Sequence, residues 1–180
     1  MLKNLNRGVI LLVNETNLEE LKSVQEHIQE LSELLIQVVD DGASIGFMPP
    51  MTYSEAEQYW NHVLDPNVIL FVATINGQLV GTVQLHLCSK QNGLHRAEIA
   101  KLMTHPQFRK RGTARLLMQL AEERAKKEDR SLLVLDTREG DPSNHLYSSL
   151  GFIQAGRIPD FAQSANGSLD ATIIYYKLLS

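Results

Sequence analysis

The sequence predicts a single α/β domain of the α+β kind, with a mixed, mostly antiparallel sheet of about seven strands flanked by about four helices. Short apolar, β-branched runs recur between Asn-Gly and Asp-Pro turn signals. Two longer stretches repeat their apolar residues at spacings of three and four, which is helical. The chain has 180 residues, enough for one domain with a substantial core, so 1–180 is read as one unit.

Charge and cysteine usage narrow the function classes. Lys plus Arg is 17 and Asp plus Glu is 21, a formal charge of −4. That balance argues against general nucleic-acid binding. The single cysteine, Cys88, cannot form an intrachain disulfide and fits a reducing compartment. Residues 1–7 are too polar for a secretory signal, and the apolar run 8–13 is too short. No apolar segment reaches membrane-span length. The expectation is a cytoplasmic protein with no membrane partner. The histidines show no metal-ligand spacing, so no metal is expected.

In chain order, residues 9–13 read as a first strand and 14–17 as a turn, with Thr16 or Asn17 as the N-cap of the first helix. Leu21, Val24, Ile28, Leu31, Leu35 and Val38 form one apolar stripe, predicting an amphipathic helix from the turn to about Asp40. The segment 41–50 is rich in glycine and proline yet carries Ile45, Phe47 and Met48, which either tuck into the core or wall a ligand site. Ser54 and Glu57 suggest a capping box for a second helix, 55–64, with Tyr59, Trp60 and Val63 inward. Strands 68–75 and 78–87 flank the turn Asn76-Gly77, and 96–104 is the next strand. A helix covers 111–127, then an apolar strand 132–136. Asp141-Pro142 reads as N-cap and first residue of a short helix reaching Leu150. Strands from Phe152 and over 171–178 close the chain.

Between strand 96–104 and its helix lies Arg109-Lys110-Arg111-Gly112-Thr113-Ala114. A helix start offers backbone N–H groups without intrahelical partners and a partial positive charge. Gly112 admits a close ligand, Thr113 and Ala114 keep the rim small, and three cations add charge. Such a turn suits a phosphate or pyrophosphate, although a basic run with one glycine also serves as a solvated turn. There is neither a G-x-x-x-x-G-K-[ST] loop nor a G-x-G-x-x-G fingerprint.

Arg109-x-x-Gly112-x-Ala114 resembles the Arg/Gln-x-x-Gly-x-Gly/Ala signature of the GNAT superfamily of acyl-CoA-dependent N-acetyltransferases, and Asn144-x-x-Tyr147-x-x-Leu150-Gly151-Phe152 looks like its second motif. The segments 41–47, 96–98, 101–103, 135–137 and 174–177 look like the tabtoxin-resistance acetyltransferase group, whose members acetylate a small amine-bearing toxin. The resemblance implies a GNAT-like sheet splayed at an acetyl-CoA site. Backbone N–H groups from Lys110 to Ala114 would cradle the diphosphate, supplemented by Arg109, Lys110 and Arg111. The edge at Leu102, Met103 and Thr104 would pair with the pantetheine arm, and Asn144 would bond that arm. It also implies a small amine as acceptor, and it allows a homodimer.

An amine must lose a proton to attack, since alkylammonium groups titrate near roughly pH 10. Glu98 and Asp136 are the candidate bases, on strands flanking the expected splay, with Asp136 slightly preferred for its place at a strand end. Either could instead be a structural ion-pair partner. Tyr147 is the candidate acid for the leaving thiolate. Phe47, Tyr53 and Trp60 are candidates for the acceptor pocket and would fit the core equally. Two other functions compete: a non-catalytic acyl-CoA sensor, and an interaction protein assembled through its first long helix.

Overall fold

A computed structural model of the chain describes residues 11–13 and 16–180. The strands are β1 (Leu11–Val13), β2 (Thr16–Leu21), β3 (Val68–Ile75), β4 (Gln78–Leu87), β5 (Arg96–Thr104), β6 (Leu132–Arg138), β7 (Ile153–Gln163) and β8 (Leu169–Leu178). The helices are α1 (Ile28–Asp40), α2 (Tyr53–Asn61), α3 (Thr113–Lys127) and α4 (Ser143–Ser149). They build one eight-stranded sheet in the order β1-β2-β3-β4-β5-β6-β8-β7. Only β5 and β6 run parallel; the other neighbours are antiparallel.

β3 shows how the layers form. Ile69, Phe71, Ala73 and Ile75 face the cluster that contains Leu117, Met118, Ala121 and Ala125 of α3. Leu70 and Val72 face the cluster that contains Leu31, Leu35 and Val38 of α1 and Ala56 and Trp60 of α2. The period of two puts alternate side chains on opposite faces, and helices cover both faces. At Gly81 the layers come so close that a Cβ would lie 2.9 Å from the Met103 carbonyl and 3.2 Å from Leu117.

The predicted fold class holds, with four corrections of detail. The stretch expected to open the first helix is instead β2, so the sheet gains a strand and α1 begins at Ile28. Thr16, Leu18 and Leu21 are buried as β2 pairs along the edge of β3, so tertiary pairing overrides a spacing of three. Residues 9, 10, 14 and 15 of the expected first strand and turn, and the segment 1–7 read as too polar for a secretory signal, lie outside the described residues. The capping box of α2 is Thr52 with Glu55, one of two overlapping matches to the same pattern. Asp141 does not cap α4; its carboxylate goes to Arg138, 2.8 Å away, and Pro142 is the N-cap. Finally, β6 runs on to Arg138.

Among the described residues no helix is long and apolar enough to cross a membrane, and no group of three His, Cys, Asp or Glu is arranged to hold a metal ion.

Candidate active site

β5 and β6 stay together for three residue pairs, Arg96 with Leu132, Ala97 with Leu133 and Glu98 with Val134. Beyond Glu98 they part. On its other side β5 remains bonded to β4, but with a bulge: Thr82 pairs with Met103 and Gln84 with Ala100, so Lys101 and Leu102 oppose Val83 alone. Lys101 sits there at φ 50°, outside the strand region. A bulge bends its strand, here away from β6. The gap is a cleft of about 970 Å³ lined by β5, the β5–α3 turn, β6, α4 and the loop after α1.

At one end the cleft is walled by backbone. Gly112 caps α3 at φ 86°, and Lys110 adopts φ 62° two residues earlier. Nothing lies within 4 Å of where a Gly112 Cβ would stand. The amides of Thr113, Ala114 and Arg115 have no intrahelical carbonyl to reach, and no side chain caps them. Among the described residues the Thr113 hydroxyl is buried without a partner. A concave set of unsatisfied donors at a helix start fits a diphosphate. His105 shapes the approach, its Nδ1 accepting from the Gln107 amide at 3.2 Å.

Of the three expected cations, only Arg109 and Lys110 line the cleft. Arg109 is paired with Asp41 at 2.5 Å. Arg111 lies 4.9 Å over the Phe108 ring.

The other end is built from side chains. Glu98 and Asp136 both face the cleft where the strands rejoin. Asp136 accepts a 2.8 Å hydrogen bond from the Thr172 hydroxyl. Tyr147, on α4, is packed against Phe152 and Tyr175, with ring centroids 6.0 Å and 5.9 Å away. Burial, reinforced by the charges of Asp136 and Asp141, pushes its phenol well above the ordinary value, so it stays a protonated donor. Among the described residues its hydroxyl makes no hydrogen bond.

Leu102, Met103, Thr104, Gly112, Thr113 and Ala114 line the same cleft, so the fold gathers most of the predicted residues. Besides Arg111, four stand elsewhere. The amide of Asn144 is consumed as a brace: its nitrogen donates to the carbonyls of Arg138 and Asp141, and its oxygen accepts from the Tyr175 hydroxyl. Trp60 is fully buried between α1 and α2, its indole N–H donating to the Leu31 carbonyl at 2.8 Å. Tyr53 starts α2 and is exposed to solvent away from the cleft. Phe47 packs edge-on against Tyr59, off the cleft lining, with the Lys101 ammonium 5.4 Å from its ring centroid.

Three residues given no site role from sequence, Asp41, Lys101 and Arg138, complete the wall. The loop after α1 is strapped down at three points: Asp41 to Arg109, the Gly42 carbonyl to Arg138 at 3.1 Å, and the Ile45 carbonyl to Lys101 at 2.5 Å. Arg138 also binds Asp141 and the Ser164 hydroxyl, tying β6 to the loop before α4 and to the turn after β7. Burial lowers the Lys101 pKa, while Asp136 and Glu98 pull it back up. A cation two residues beyond a candidate base was the sole sequence signal for Arg138. A bulged lysine leaves none.

Comparison with known proteins bears on this geometry. A model of the Acetyltransferase (GNAT) family matches residues 21–152. An uncharacterized N-acetyltransferase of the hisH-hisA intergenic region of Azospirillum brasilense is 31% identical over 115 residues, covering 62% of this chain and 68% of that protein. An acetyltransferase of the GNAT family from Streptococcus pneumoniae has the same fold, with TM-score 0.77 and 21% identity over 92% of this chain and 100% of that one. A putative acetyltransferase from Salmonella typhimurium, solved with its cofactor acetyl-CoA, superposes with TM-score 0.77 at 16% identity, over 93% of this chain and 95% of that one.

Proposed function

The chain belongs to the acetyltransferase (GNAT) family, and from that premise we propose that it transfers the acetyl group of acetyl-CoA directly to the amine of a small molecule held in the same cleft. One observation carries this function: a single cleft joins unsatisfied donors at the start of α3 to two carboxylates at the fork of β5 and β6.

Acetyl-CoA supplies an activated thioester. The chain does the rest. Amides from Lys110 to Ala114 and the Thr113 hydroxyl grip the diphosphate, with Lys110 and Arg109 adding charge once Arg109 leaves Asp41. The edge of β5 at Leu102, Met103 and Thr104 holds the pantetheine arm as a further strand, and a backbone N–H there donates to the thioester oxygen. Asp136, oriented by Thr172, takes the proton from the acceptor amine, with Glu98 as its partner carboxylate. Tyr147, kept protonated by burial, returns a proton to the leaving sulfur. The site of action is cytoplasmic, and the likeness to the tabtoxin-resistance group makes an amine-bearing toxin one acceptor to test.

Thiol release from acetyl-CoA, measured against small amines, amino-acid analogues, aminoglycosides and peptides, tests this function. Release that depends on one acceptor class is the expected result. Calorimetric titration showing no association with acetyl-CoA overturns it. Binding without release for any acceptor converts the protein into an acyl-CoA sensor.

A further inference from the structure

Lys101 lines the cleft beside both candidate bases. Its Nζ donates to the Ile45 carbonyl at 2.5 Å and lies 5.4 Å from the centroid of the Phe47 ring. The charges of Asp136 and Glu98 act on it from within the cleft, and His86 lies in the field of Glu98 and of Lys101 itself. A carbonyl, an aromatic face and carboxylates are the usual components of an ammonium seat. The backbone is distorted to deliver the side chain there. Lys101 holds φ 50° in the bulge, a left-handed conformation that a non-glycine residue adopts at a cost, and the Thr82 hydroxyl fixes its carbonyl at 3.2 Å. Lys101 also lies between Glu98 and the Leu102–Thr104 edge, along the path from the diphosphate turn to the fork.

We propose that Lys101 is an internal acceptor, and that the protein acetylates its own Lys101 amine when acetyl-CoA is bound and no external amine fills the seat. This rests on the acetyl-CoA reading above. The Lys101 ammonium gives one proton to Asp136 or Glu98. Its nitrogen then forms an amide bond to the acetyl carbon as the carbon–sulfur bond breaks, and its second departing proton ends on the sulfur of the CoA thiol. Burial raises the fraction of Lys101 present as free amine relative to a solvated lysine.

The test is to incubate the purified full chain with acetyl-CoA and no acceptor, then map the label by mass spectrometry, with calorimetric titration of acetyl-CoA alongside. One acetyl group should appear on Lys101, about tenfold or more faster than on the exposed Lys90 and Lys127. The rate per molecule should not change with protein concentration. Lys101→Arg keeps the charge but cannot form this amide; it should lose the label and still bind acetyl-CoA. Association with acetyl-CoA but an unmodified Lys101 overturns this proposal alone. Labelling of Lys101 no faster than in heat-unfolded protein also overturns it. Absence of association overturns both this proposal and the cofactor reading.

Discussion

At the turn into α3 most of the donors that face the cleft belong to the backbone; at the fork of β5 and β6 the chemistry belongs to side chains. The first end needs only a left-handed Gly112, a small Thr113 and a helix start, all within a few residues. The second draws Glu98, Lys101, Asp136 and Tyr147 from β5, β6 and α4. Backbone donors survive most conservative substitutions but are blocked by bulk. Side-chain chemistry is lost with one atom and tolerates changes of shape around it. The two ends should therefore respond to mutation in different kinetic parameters: affinity for acetyl-CoA at one, turnover at the other.

The largest effect belongs to the carboxylates. Asp136→Asn should lower kcat by about 10²–10⁴, the usual value of a positioned base, with acetyl-CoA affinity nearly unchanged. Glu98→Gln should cost less. Steady-state kinetics with a saturating acceptor checks the ranking; a larger loss at Glu98 would exchange the two roles.

Next comes Gly112→Glu. The open space beside Gly112 would receive a carboxylate facing the diphosphate, a like-charge contact worth about 3 kcal/mol, or roughly 10²-fold in Kd. Calorimetry reads this directly. Retained affinity would place the diphosphate elsewhere and dissolve the contrast between the two ends.

Tyr147→Phe should lower kcat by only about tenfold, because thiols ionise near pH 8.5 and thiolates leave with modest help. The pH dependence has a defined sign. Burial raises the Tyr147 pKa, so the phenol is still protonated where ordinary tyrosines ionise. An alkaline limb in kcat below about pH 10 should therefore be the same in the wild type and in Tyr147→Phe. The same shift makes the fold alkali-sensitive. Below about pH 10 both folded and unfolded phenols are neutral, and above it the unfolded phenol ionises first, so stability falls. Alkaline unfolding monitored by circular dichroism should show a smaller fall for Tyr147→Phe.

The two ends also differ in how far the sequence disclosed them. Gly112, the basic run and the α3 periodicity are neighbours, so local physics places them together. Glu98 and Asp136 could be nominated because carboxylates are rare in apolar strands, but their meeting depends on a parallel pairing that ends at Glu98. Lys101 entered only within a segment of family resemblance and without a role, since its direction is set by a bulge that no residue type announces. Trp60 and Asn144 mislead for the opposite reason. An indole or an amide has the same character on a cleft wall or inside a fold, and only the partners, the Leu31 carbonyl for one and the Tyr175 hydroxyl for the other, decide. The strand at Thr16–Leu21 carries apolar residues three apart that suit a helix until β3 offers its edge.

The smallest expected effect is also the most discriminating. Thr113→Val keeps the shape of the side chain and removes one oxygen. That oxygen is buried without a partner among the described residues, a state that costs about 1–3 kcal/mol. Its removal should therefore raise the stability of the protein alone, measured by urea denaturation. If the same hydroxyl donates to the diphosphate, its loss should weaken acetyl-CoA binding by about 1–1.5 kcal/mol, five- to tenfold in Kd. The two changes have opposite signs, and a purely structural threonine cannot produce both. Higher stability with unaltered affinity would leave the diphosphate to the amides alone.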